Sequence, residues 1–342
     1  MFAPIHRFAQ ASLIFVFIVI IAGSVVRMTG SGMGCPDWPK CFGYYIPPTD
    51  SEQVTWATDK SFEEGQMVVY QESLWQAKSN FKTGSQIDLN NWERYDKHDY
   101  AHFNPVHTWI EYINRLAGAL TGIPVLLMFI TAIWHGRKTK KWKIFWWSAI
   151  VLFFLGFEAY LGKLVVDGNL IPGHITMHMA GSVVLLIFLV AILRETAVAK
   201  TYLDLRKPTK WILWGLLGLS ALQIFWGTQV REEVDILLKA ATQRSLLIDL
   251  LPNIFKLHRS FSILVVLMHG LFFYKLYKAG VHNTWVTALA VLLVAEVLAG
   301  VTLSYCGMPA GMQPIHLFFS LVMITIQFHL ILISGRAKIY VN

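Results

Sequence analysis

Residues 158–182, EAYLGKLVVDGNLIPGHITMHMAGS, return 138 positions later, without a gap, as residues 296–320, EVLAGVTLSYCGMPAGMQPIHLFFS. Glu158, Gly162, Gly173, His178 and Ser182 become Glu296, Gly300, Gly311, His316 and Ser320. Each copy is an apolar segment with a carboxylate, a glycine-containing turn, and a second apolar segment with a histidine one turn in. Carboxylates and imidazoles are costly in hydrocarbon, so a duplicated pair points to a duplicated site inside a membrane protein.

Composition agrees with a membrane chain. Hydrophobic residues make up 55% of the 342 and charged residues only 15%, too few to cover a soluble surface of that size. Eight apolar runs of near-spanning length can be drawn, at about 8–27, 109–134, 144–165, 174–193, 211–230, 255–277, 284–304 and 314–334. A bilayer offers no water to backbone groups and barrel-type alternation is absent, so these runs are expected to be helices. The fold class is therefore an all-α integral membrane protein. The first run lacks a small-residue cleavage site and reads as a retained helix rather than a signal peptide.

Loop charge orients the chain. Segments 137–143, 194–210, 275–278 and 336–338 carry fourteen Lys/Arg, against Glu195 and Asp204. The stretch from Gly43 to Asn104 carries ten Asp/Glu against five Lys/Arg. The positive-inside rule places both termini in the cytoplasm and the long loop outside. The net charge of +8 is then a topology signal, and nucleic acid is not an expected partner. Trp56, Trp75, Trp92 and several Phe and Tyr in the loop argue for a packed cap rather than a disordered linker.

The repeat extends further. Gly23, Val26 and Arg27 resemble Gly227, Val230 and Arg231, and Asn114-Arg115 stands where His258-Arg259 stands later. Residues 1–193, with an outer loop over 28–105, and 194–342 thus read as two pseudo-symmetric four-helix halves, repeated in parallel because both start inside.

In the second half, His258 and His316 each lie about one turn into a helix entering from the outside. Two neutral imidazoles facing each other across a bundle suit a six-coordinate haem iron, whereas zinc wants three or four ligands. Arg259 and Arg231 could pair with haem propionates. The bland alternative is that both histidines are interhelical hydrogen-bonders. In the first half His178 matches His316, but Asn114 stands in place of His258. Glu111 and His107 share that helix face at helical spacing, and His174 sits one turn outward of His178. One half is therefore expected to hold a permanent cofactor and the other a reacting molecule, although His107 and His174 could equally be interfacial groups facing water. Glu158 and Glu296 fit a shared structural role across the bundle better than catalysis. His269 and His329 lack repeated partners and read as packed or interfacial. Cys35 and Cys41, past the first helix in an oxidising compartment, read as a disulfide, with a reversible redox pair as the alternative. Cys306 receives no role.

These residues resemble the haem A synthases over essentially the whole chain. The most specific parts are GSVVRMTGSGMGCPDWPKC (residues 23–41), Glu111-Tyr112-Ile113-Asn114-Arg115, His258-Arg259 and Gln313-Pro314-Ile315-His316. The resemblance implies an oxidoreductase that converts the C8 methyl of haem O to the formyl of haem A for cytochrome oxidase assembly. It implies haem b between His258 and His316, and a substrate haem near His178, His107, Asn114, Arg115 and Arg27. The iron at that second site would activate dioxygen, and two oxidations would pass through an alcohol and a gem-diol. Glu111 matches the family's helix-two glutamate and is the expected catalytic group; Cys35 and Cys41 match its outer-loop cysteines. The family's Glu-x-x-His-Arg reads Glu-x-x-Asn-Arg here, which leaves two readings open. Either His107 coordinates the substrate iron, or that iron is five-coordinate on His178. The expected partners are haem O synthase and an unidentified electron donor, and homo-oligomerisation stays open. The absence of an Arg/Ser-rich leader favours a bacterial plasma membrane. The competing class is a non-catalytic membrane b-type cytochrome or haem carrier, which a bis-histidine site in each half would favour. A transporter is a weaker third reading.

Overall fold

A computed structural model describes residues 2–96, 102–167, 173–240 and 242–335. Among them, eight helices are long and apolar enough to cross a membrane. They are α1 (Ala3–Thr29), α2 (Pro105–Thr139), α3 (Lys143–Asp167), α4 (His174–Thr196), α5 (Lys207–Lys239), α7 (Asn253–Lys278), α8 (Thr284–Tyr305) and α9 (Met312–Ile333); α6 (Leu247–Leu250) is a single turn between α5 and α7. Each apolar run of the sequence is a helix.

Helix ends follow local chemistry. Pro105 opens α2, and the side chain of Asn104 accepts the backbone N–H groups of Val106 and His107. Gly30, at φ 70°, closes α1 by donating to the carbonyls of Arg27 and Val26. Helices α2 and α5 overrun their apolar runs at both ends, because charged residues such as Arg137 and Lys239 are good helix formers once water is available. The overrun of α5 brings Glu232 and Asp235 into a helix rather than a loop.

Helix α1 packs on α2, α4 and α9, and α3 packs on α2 and α4. In the later part of the chain α5 packs on α7 and α9, while α8 packs on α9 and α7; α4 meets both α9 and α5. Ile5, Ala9, Val16, Met128, Leu189 and Leu321 belong to one buried cluster, and Leu213, Phe272, Leu289 and Leu330 to a second. Water drives no association inside hydrocarbon, so close packing and polar cross-links hold the helices together. His6 Nδ1 lies 2.9 Å from Thr196 Oγ1, tying α1 to α4. Gln327 donates to Ser220 Oγ and to His269 Nε2, both at 2.9 Å, tying α9 to α5 and α7. His329 stacks near Trp285, with ring centroids 4.9 Å apart. Both unrepeated histidines are packed.

The segment between α1 and α2 holds five short strands. β1 (Ser61–Phe62) pairs with β4 (Phe81–Lys82), and β2 (Met67–Tyr70), β3 (Ser73–Ala77) and β5 (Trp92–Arg94) form an antiparallel sheet in the order β2-β3-β5. Gln71 and Glu72, both in the left-handed region at φ 49° and 56°, make the two-residue turn of the β2–β3 hairpin. Trp92 is buried against Phe62 and Phe81, with centroids 5.0 and 5.1 Å away. Cys35 and Cys41 are joined in a buried disulfide, packed with Phe42, Val54, Met67 and Leu74. The membrane face carrying this segment is called the loop face below.

Candidate functional site

Both histidine clusters lie at the loop face, one turn inside their helices. His258 of α7 and His316 of α9 present rings at 86° to each other with centroids 6.3 Å apart. Small residues make room for them. A Cβ on Gly227 of α5 would lie 3.2 Å from His258 Cε1, and one on Gly300 of α8 would lie 3.4 Å from His316 Cε1. Gln223 of α5 donates to the carbonyl of His258 at 3.0 Å, while His258 Nδ1 is buried with no hydrogen-bond partner. Glu296 Oε1 of α8 lies 3.2 Å from His316 Nδ1.

The spacing fits a metal. Two metal–imidazole bonds of about 2 Å each, continued to the ring centres, span roughly the distance between these two centroids. A carboxylate within ion-pair distance of Nδ1 leaves Nε2 as the ring nitrogen free to serve as a ligand. Two apposed imidazoles, glycines beneath both and a carboxylate behind one are thus a donor set suited to haem. Among the described residues no group of three or more His, Cys, Asp or Glu converges to hold a bare metal ion.

The first cluster repeats part of this arrangement. Glu158 of α3 contacts His178 Nδ1 of α4, and Gly181 lies so close to that carboxylate that no Cβ would fit. A Cβ on Gly162 would lie 3.9 Å from His178 Nε2. At the position that corresponds to His258, Asn114 Oδ1 is buried with no hydrogen-bond partner, 3.7 Å from where a Gly23 Cβ would stand. No hydrogen bond or ion pair joins His107 to Glu111 or His178 among the described residues. His174 opens α4, but its side chain, like residues 336–338, lies outside the described residues.

Glu111 is buried and doubly held. Its Oε1 pairs with Arg115 one turn along α2, and its Oε2 accepts the backbone N–H of Cys35 at 2.9 Å. Arg115 donates in turn to the carbonyls of Asp37, Lys40 and Cys35 at 2.6, 3.1 and 3.3 Å. The disulfide turn and the Glu111–Arg115 pair therefore form one unit. Asp37, in the same turn, accepts from Gly43 N–H at 2.9 Å. Burial pushes its carboxyl above the ordinary value, against the pull of the Gly43 and Phe42 amides and Arg115.

Arg27 and Arg231 meet at Asp235 of α5, whose Oδ1 lies 2.6 Å from Arg231 Nη2 and whose Oδ2 contacts Arg27. Arg259 lies over the Phe255 ring, 5.5 Å from its centroid. Sequence reasoning missed Asp235, although its position four residues after Arg231 is the spacing of a helical ion pair. It also missed Gln223, for which no local signal exists.

The chain matches the model of the COX15-CtaA family, described as cytochrome oxidase assembly protein, over residues 6–83 and 88–328. It is similar to a protein named heme A synthase from Shewanella oneidensis, 26% identical over 185 residues that cover 53% of this chain and 43% of the relative. A protein of the same name from Rickettsia prowazekii is 26% identical over 176 residues, covering 51% of this chain and 44% of its own length. The chain thus spans less than half the length of these relatives.

Proposed function

We propose, because the chain belongs to the COX15-CtaA family of cytochrome oxidase assembly proteins, that it is a haem A synthase, oxidising the C8 methyl of haem O to a formyl group. The observation that carries this reading is the asymmetry of the two clusters. One has two imidazoles with centroids 6.3 Å apart; the other has His178 against Glu158, and the position that matches His258 in the repeat is Asn114, whose Oδ1 is buried without a hydrogen-bond partner.

His258 and His316 would hold haem b, which when bound supplies single electrons. Gln223 and Gly227 fix the height of His258, and Glu296 fixes the ring of His316. Arg259, with no ion pair among the described residues, is placed to meet a propionate. In the first cluster His178, backed by Glu158, would hold the iron of haem O. Asn114 offers no imidazole where its counterpart His258 does, so a second ligand from this chain would have to come from His107. Glu111 would hold or release a proton near the reacting carbon, its two oxygens kept in place by Arg115 and the Cys35 amide. The basic ends of the helices remote from the loop face favour a cytoplasmic location for both termini and an outward loop face.

Pigment analysis tests the reading. Protein purified from membranes that make haem O should carry haem b together with haem O, its hydroxylated form or haem A. Haem b alone, with no haem A made, would instead mark a non-catalytic cytochrome.

A further inference from the structure

Arg27 and Arg231 occupy corresponding places in the repeat, each directly after a valine and four residues after a glycine. In the fold they converge on one carboxylate, Asp235. The residue four after Arg27 is Ser31, so the first half supplies no matching acid and the two arginines share one. Arg231 also donates from Nη2 to the carbonyl of Arg27 at 2.9 Å, and from Nη1 to Gln313 Oε1 at 2.5 Å. Gln313 lies one turn before His316 on α9. The same seam holds Gly173 N–H on Glu232 Oε1 at 2.9 Å, Thr176 Oγ1 against Thr228 Oγ1 at 2.8 Å, and Gln229 Nε2 on Thr176 Oγ1 at 2.7 Å. A continuous polar chain therefore runs from α1 through α5 to the turn that carries His316. Its three charged side chains are only 18–26% exposed, which shields the pairs from the screening that weakens surface salt bridges.

We propose that Asp235 is a positioning residue that couples the two clusters. It locks the loop-face end of α1 to α5 and, through Arg231 and Gln313, sets the placement and electrostatic surroundings of His316. The effect on a bound iron rests on the reading of His258 and His316 as haem ligands; the mechanical lock does not. One carboxylate against two guanidiniums leaves one net positive charge, and Asp235→Asn leaves two. The second uncompensated charge favours the reduced form of a nearby iron.

The test uses the full chain purified in detergent. In a thermal-unfolding cycle of Arg27→Gln, Asp235→Asn and the double variant, the double should unfold no lower than Asp235→Asn alone; additive losses would overturn the lock. In a redox titration of the retained haem, Asp235→Asn should raise the reduced-to-oxidised ratio at fixed ambient potential by about tenfold. Asp235→Glu, which keeps the charge, should return it towards the parent value. An unchanged ratio in Asp235→Asn with full haem content overturns the coupling. If the parent chain retains no haem, the functional reading fails, and the unfolding cycle alone decides the lock. Should Asp235→Asn not fold, the cycle is run with Asp235→Glu and Arg27→Lys, where non-additivity supports the lock and additivity overturns it.

Discussion

Glu296 lies 3.2 Å from Nδ1 of His316, and Glu158 makes the corresponding contact with His178. Each repeat thus carries its histidine together with the carboxylate that orients it. Both contacts cross from one helix to the next, and each carboxylate lies against Nδ1 of its histidine, which leaves Nε2 for a ligand.

Removing such an orienting carboxylate typically weakens a metal site by about 10–100-fold. Glu296→Ala should lower haem retention at the His258/His316 cluster by that order, measured as haem b per chain after purification. Glu296→Gln keeps an oxygen acceptor for Nδ1–H and should lose less. Equal retention in all three proteins would show that Glu296 does not serve the histidine.

Asn114→His places an imidazole where the first cluster has an amide. If His178 is the one side chain that would hold the substrate iron, this variant should hold substrate-type haem more tightly and give it the absorption spectrum of a bis-imidazole centre. If instead the spectrum is unchanged and His107→Ala empties the first cluster, His107 is the second ligand.

Glu111→Gln preserves the size of the side chain and a hydrogen-bond acceptor but removes the charge. Haem A formation should fall by roughly 10²–10⁴-fold, while haem b content stays at the parent level. Glu111→Ala should also destabilise the protein, by about 3 kcal/mol, because it leaves the largely covered Arg115 guanidinium without its carboxylate partner, held by the backbone carbonyls of the disulfide turn alone. Haem A production at the parent rate in Glu111→Gln would remove the glutamate from the chemistry.

Opening the Cys35–Cys41 bridge should cost about 2 kcal/mol, the loop-closure value for so short a ring. Because Cys35 N–H binds Glu111 and Cys35 C=O binds Arg115, the same change should also slow haem A formation. Reductant should reproduce both effects in the parent chain and do nothing further to a Cys35→Ser/Cys41→Ser double variant. A double variant with parental stability and rate would make the bridge dispensable.

The sequence by itself determined the eight helices, because hydrocarbon forces each apolar run to satisfy its backbone internally, and that rule acts locally. It also set the depth of His178, His258 and His316, since one turn into a helix is a count of residues. The cysteine pair followed from an oxidising compartment, and the break at Asn114 from lining up the repeat. Which side chains meet was another matter. A helix's rotation about its axis is fixed by packing against its neighbours and not by its own periodicity, so the sequence could list Glu158 and Glu296 but not aim them at His178 and His316. It could match Arg27 with Arg231 but not show that one carboxylate from an overrun of α5 would gather both. Only the tertiary structure brought the disulfide turn over the Glu111–Arg115 pair, because that contact joins residues some 75 positions apart through the closure of a cap whose strands leave no periodic trace in an apolar chain.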